Sequence, residues 1–272
     1  MHSDIPHTMS DTVTNAVSTN IKASFNRLAN RLCPSEQRWN RFLNHWRILN
    51  GSWLKILAIV TMTIDHVAAF YCLSFPSFHI PLFTIGHRTI TTYILMRLIG
   101  RMAFPIFSFL LVEGFLHTHN RFKYGRNLFL FALISEIPFN LSNSNTFFYP
   151  SQNVFFTLFL GYLGLCAIEH FRNRTLPMTL SLVALFIISI FLRVDYGYMG
   201  FGFILMLYAL RNSRLIQALV GCCVLPSRLI AGLAFIPLSM YNGERGFIKG
   251  PIGKYFFYIY YPLHLLVIYL IR

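Results

Sequence analysis

Ionisable side chains stand where hydrocarbon is expected around them, and their types could move protons and bind anions. Asp65, Glu113 and Glu136 fall inside strongly apolar stretches, Asp195 lies at the edge of one, and Arg97, Arg101, His66 and His264 occur at similar depth. A full charge in the middle of a bilayer costs about 2.5–3.5 kcal/mol on insertion scales, so such groups must face inward and find partners. Arg97 and Arg101 are four residues apart, share a helix face and form a two-guanidinium fork suited to carboxylates or phosphate oxygens. Asp65 and His66 are neighbours, so on a helix they point about 100° apart and each needs a partner on another element. A buried imidazole bonded to Glu113, Glu136 or Asp195 would be fixed in one tautomer and strengthened as a base. Equally, Asp65 pairs with Arg97 or Arg101 as plain architecture.

The elements that must position these groups follow from composition. Of 272 residues, 55% are hydrophobic and 12% charged, with a mean hydropathy of +0.54, which is too apolar for a soluble domain of this length. The expected fold is an all-α, polytopic transmembrane bundle of eight or nine spans, at 53–74, 91–116, 125–142, 153–170, 177–192, 197–210, 215–225, 229–241 and 255–271. Within 214–241 two short helices are preferred to one long one, because a single crossing would move Arg245, Lys249 and Lys254 to the side opposite the other basic gaps. No inverted repeat is visible.

Residues 1–50 read as a separate basic extension. Its first 20 residues are polar and carry no signal-peptide pattern, while 21–32 and 39–46 read as amphipathic helices on a lipid surface or a basic linker. The formal charge of +14 concentrates in this tail and in alternate gaps between apolar runs. That pattern speaks for membrane topology with a cytoplasmic N-terminus, and against nucleic acid as partner. The five cysteines form neither a CxxC pair nor a disulfide framework. His117 and His119 lack further ligands at fixed spacing, so no metal is expected. Tyr255, Tyr258, Tyr260, Tyr261 and Tyr269 read mainly as interfacial aromatics, and Pro105, Pro138 and Pro262 as kinks.

Several stretches resemble the TraX family: LKILAIVTMTIDHVAAF from Leu54, LIGRMAFPIFSFLLVEGFLHTHN from Leu98, FALISEIPFNL from Phe131, NVFFTLFLG from Asn153, DYG from Asp195, YNGERG from Tyr241 and FYIYYPLHLLVIYL from Phe257. They run in order from about residue 52 to the end, so 51–272 is expected to be one TraX-like domain. The resemblance implies a multi-pass protein of the bacterial inner membrane that acetylates the N-terminal amino group of a conjugative pilin, with acetyl-CoA as donor. A wider likeness to membrane acyltransferases suggests a surface glycan or other surface polymer as an alternative acceptor. By these likenesses His66 is the base or acyl carrier, with Asp65, Glu113 and Glu136 as further catalytic candidates. Arg97 and Arg101 become candidates for the donor's anionic groups, with Arg121, Lys123, Arg126, Arg172 and Arg174 as alternatives. Asp195, Tyr196, Asn153 and His264 become candidates for holding the acceptor. From the residues alone, a transporter or channel with a carboxylate relay and a non-catalytic assembly factor remain rivals.

Overall fold

A computed structural model describes residues 45–86, 88–224 and 232–272. Apart from His45 and Trp46, the amphipathic helices expected at 21–32 and 39–46 lie outside the described residues, as does the polar start of the chain. Residues 47–272 form one compact unit.

Helices begin where a side chain can take up the free amides of the first turn. Asn50 accepts from the Ser52 and Trp53 amides and starts α1, Gly51–His66. Directly after His66 the chain widens into a π-turn, Val67–Tyr71, and continues as helical turns to Ser74. Thr91 caps α2, Thr92–Gly100, and after a turn at Arg101–Met102 the chain resumes as α3, Ala103–His117. Pro105 explains the break: it has no N–H to give to the Arg101 carbonyl four residues earlier, and its ring crowds that carbonyl. Asn120 caps α4, Arg121–Ser144, and Asn153 caps α5, Val154–His170. There follow α6, Thr175–Phe191; α7, Gly197–Ala209; α8, Arg214–Val224; α9, Phe235–Ser239; and α10, Gly250–Ile271.

The bundle has two distinct ends. At one, Leu49 pairs with the backbone of Met240 and Asn242, and the Tyr162 hydroxyl donates to the Arg121 carbonyl at 2.6 Å. At the other, Tyr269 reaches Asn145 at 2.7 Å and Arg272 donates to the Ser142 carbonyl. The basic gaps 121–126, 172–174, 211–214 and 245–249 all gather at the first end, called here the basic end.

Segment 214–241 is not one continuous helix. Leu233 and Ala234 form a turn, and the Phe235 ring lies against Gly221 so closely that a Cβ there would stand 2.1 Å from it. In a continuous helix those two residues would be about 21 Å apart, at 1.5 Å per residue. The chain therefore folds back, which returns 241–249 to the same end as Leu49.

Two helical runs, Gly51–Ser74 and Thr92–His117, are long and apolar enough to cross a bilayer. The apolar helices Val154–His170, Thr175–Phe191, Gly197–Ala209 and Arg214–Val224 and the Tyr255–Ile271 part of α10 are shorter, so among the described residues length and apolarity together assign two of the expected eight or nine crossings. The outer surface adds a separate signal. Along α6, Leu176, Leu180, Val183, Ile187 and Ile190 are exposed at helical spacing, an apolar stripe that suits lipid and not water. The chain is a helical membrane protein. One departure from an all-helical reading is a short hairpin, Pro81–Ile85 with Arg88–Thr91, between the first two crossings.

Gly100 decides how closely α1 and α2 approach. A Cβ at this position would stand 2.2 Å from the Asp65 Cβ. Gly100→Ala is therefore expected to cost about 1–3 kcal/mol through overpacking. Thermal unfolding in detergent reads this directly, and a melting temperature equal to that of the parent protein would contradict the close approach.

Candidate functional site

The approach at Gly100 brings the charges of α1 and α2 together. Arg97 donates to Asp65 Oδ2 at 2.7 Å and to the Asp65 carbonyl at 3.3 Å. Both side chains are largely buried, so this pair neutralises two charges that neither helix could carry into lipid alone. Arg101, one helical turn further on, lies within hydrogen-bonding reach of Tyr196 and faces Asp195. Tyr196 is held flat on Phe104 with ring centroids 3.6 Å apart. Asp195 itself is exposed. Asp65 Oδ1 is buried and has no hydrogen-bond partner among the described residues.

His66 ends α1 at the point where the helix widens, and its ring meets α10. Its Nδ1 lies 2.6 Å from Nε2 of His264, and His264 Nδ1 lies 2.8 Å from the Tyr260 carbonyl oxygen. These contacts fix the tautomers. A carbonyl only accepts, so His264 Nδ1 carries the proton and donates it. Neutral His264 then has a lone pair on Nε2, which requires His66 to donate from Nδ1. The remaining nitrogen, His66 Nε2, is left unprotonated as a base. Tyr261 packs edge-on against both imidazoles, and Phe70 stacks on His66. His66 keeps part of its surface accessible.

The remaining carboxylates are engaged elsewhere. Glu136 accepts from the Asn153 side chain at 2.6 Å, while Asn153 also donates to the Ala132 carbonyl and caps α5. This set pins α4 to α5. Glu113 lies within hydrogen-bonding reach of Tyr241, 3.8 Å from His117 and near the Arg214 guanidinium. None of Glu113, Glu136 and Asp195 bonds to His66; His264 takes that place. Asp65 is held by Arg97, the architectural option of the sequence reading.

A cavity of about 580 Å³ opens at the basic end between α1, α3, α4, α5 and α10. Lys55, Glu113, His117, His119 and Arg245 line it toward that end, and Met62, Val154, Phe155, Tyr258 and Tyr261 line it further in. Tyr261 is thus shared between the cavity wall and the two histidines. Arg97 and Arg101 do not line it, and neither do Arg121, Lys123, Arg126, Arg172 and Arg174. The sequence reading took Tyr261 as an interfacial aromatic and Arg245 as a topology charge, and gave neither these two nor Lys55 and Tyr241 a part in the site. Tyr261 carried a usable signal, because it lies three residues before His264 and shares its helix face. Among the described residues no group of His, Cys, Asp and Glu is arranged to hold a metal ion.

No solved structure gives a significant match to the chain. Among characterised sequences, it is similar to the probable fimbrial assembly protein FimC, serogroup H1, of Dichelobacter nodosus. The two are 31% identical over 242 residues, covering 78% of this chain and 91% of that protein. The family described as TraX protein matches residues 50–272, which include the two histidines, the Asp65–Arg97 pair and every residue lining the cavity. The chain belongs to the TraX family.

Proposed function

We propose that this chain is an acetyltransferase of the bacterial inner membrane, carrying acetyl from acetyl-CoA to an amino group, with the N-terminal residue of a pilin as acceptor. The observation that carries this reading is the cavity that opens at the basic end and reaches Tyr261, the residue packed on both His66 and His264. The Lys/Arg excess favours placing that end, with the N-terminus, in the cytoplasm, where acetyl-CoA is found. From Lys55 to His66 is about 16 Å along α1 at 1.5 Å per residue, a distance that suits a long, thin thioester arm. The cavity's volume and its aromatic inner wall fit such an arm. In this topology eight or nine segments cross the bilayer, with lipid against the α6 stripe. Family membership and the fimbrial assembly relative favour pilin as the acceptor.

Acetyl-CoA supplies an acetyl group activated as a thioester. An attacking amine must be neutral, so the ammonium first gives its surplus proton to water, and His66 Nε2 then serves as base for the second proton, the one the nitrogen sheds as it attacks. As the C–N bond forms His66 takes that second proton, and as the C–S bond breaks it returns it to the leaving thiolate, so it ends the cycle unprotonated. His264 stabilises the transient imidazolium by accepting from Nδ1, and the Tyr260 carbonyl holds His264 in turn. Asp195 and the free Asp65 Oδ1 offer acceptors to an incoming ammonium group before it is deprotonated. The apolar walls keep water from the thioester.

His264 acts here as a positioning residue. His264→Ala is expected to lower kcat about 10- to 100-fold by releasing the His66 tautomer, while His264→Gln, whose amide oxygen can accept from His66 Nδ1, recovers part of it. Equal activities in the Ala and Gln variants would show that the contact only fills space.

The reading is tested by incubating purified protein in nanodiscs with acetyl-labelled CoA and a peptide carrying a pilin N-terminus. Label on the peptide's α-amino group is the expected result. No transfer, together with protein-dependent solute or proton flux in vesicles, would instead favour transport.

A further inference from the structure

Near the basic end the wall of the cavity holds two cations, Lys55 and Arg245. Gly51 and Lys55 lie one turn apart on the same face of α1. The Arg245 backbone is clamped beneath them: its carbonyl accepts from the Ser52 hydroxyl at 3.2 Å, and a Cβ on Gly51 would stand 3.1 Å from that same oxygen. Ser52 also accepts from the Ile248 amide, which locks the 241–248 loop to the start of α1. The charge of Arg245 therefore acts on Lys55. Among the described residues neither cation forms an ion pair, and the Lys55 ammonium lies over the Phe257 ring, 5.5 Å from its centroid. Glu113, which lines the same cavity, is taken up by Tyr241 and Arg214, and Glu244 by Asn242. Two like charges on one cavity wall, with the local carboxylates committed elsewhere, favour an anion from outside.

We infer that Lys55 and Arg245 form a phosphate subsite at the cavity mouth and hold the diphosphate of the acetyl donor. This rests on the acetyl-CoA reading above and adds a basis for selecting the donor. A compact ammonium and a guanidinium fork grip adjacent phosphate groups, leaving the thioester arm to extend toward Tyr261. A phospholipid headgroup offers the same chemistry, so the source must be separated experimentally.

The test uses full-length protein in nanodiscs of zwitterionic lipid, titrated with CoA and with inorganic pyrophosphate. Pyrophosphate is expected to compete with CoA, and the Lys55→Gln/Arg245→Gln double variant to bind CoA about 30-fold more weakly or worse. Arg245→Gln alone, on an exposed loop, keeps the test decisive if Lys55→Gln does not insert; about a tenfold loss is expected there. Unchanged CoA affinity in folded variants overturns the subsite. Loss of CoA binding when the nanodiscs are enriched in phosphatidylglycerol overturns the donor assignment in favour of a headgroup. CoA binding that needs both residues, in a protein that transfers no acetyl group, supports the subsite and refutes the transferase reading.

Discussion

His66→Ala is expected to lower acetyl transfer by about 10²- to 10⁴-fold, the usual contribution of a positioned acid–base group. The protein should still insert and bind CoA. The argument is geometric: the chain of hydrogen bonds from the Tyr260 carbonyl through His264 leaves a lone pair on His66 Nε2, beside the ring of Tyr261. The structural cost of the change is the hydrogen bond to His264, about 1–3 kcal/mol, together with the ring contacts to Phe70 and Tyr261. Transfer assays on His66→Ala and His66→Gln, with CoA affinity measured in parallel, separate chemistry from folding. Retained turnover in either variant would remove His66 from the reaction.

Arg97→Met should have the largest effect on stability. It strips Asp65 of its 2.7 Å partner and leaves a carboxylate among apolar helices, a change that typically costs about 3–5 kcal/mol. Arg101 lies within electrostatic reach of Asp65, which places the expected loss toward the lower figure. Asp65→Asn combined with Arg97→Met should recover most of it, since no uncompensated charge then remains. Thermal unfolding of the single and double variants in detergent checks this. A double variant no more stable than Arg97→Met would mean that the pair is not what the charges are there for.

Much of the fold was legible because its signals are local. Asn50, Asn120 and Asn153 stand just ahead of apolar runs and cap helices there. Alternating basic gaps favoured two short helices within 214–241, and the fold-back at Gly221 and Phe235 returns 241–249 to the end where Leu49 lies. The hairpin at 81–91 was not legible, since its strands are short and lie in a gap read only for charge. At the site, helical spacing left Asp65 free to pair with Arg97 or Arg101, and only the close contact at Gly100 decides between them. The partner of His66 could not be read at all. Three carboxylates were chemically suitable, but Asn153 holds Glu136 and Tyr241 engages Glu113, whereas His264, 198 residues away in sequence, arrives on α10. Lys55 and Arg245 could not be joined for the same reason: a lone lysine and a loop arginine read only for topology meet on one cavity wall through the Ser52 clamp.

Mass spectrometry of pilin N-termini from cells with the intact gene, without it, and with only His66→Ala restored tests the central claim most directly. The account predicts acetylated α-amino groups in the first case and free ones in the other two. Pilin N-termini that are equally acetylated in all three, with the protein present in the membrane where expected, would contradict it.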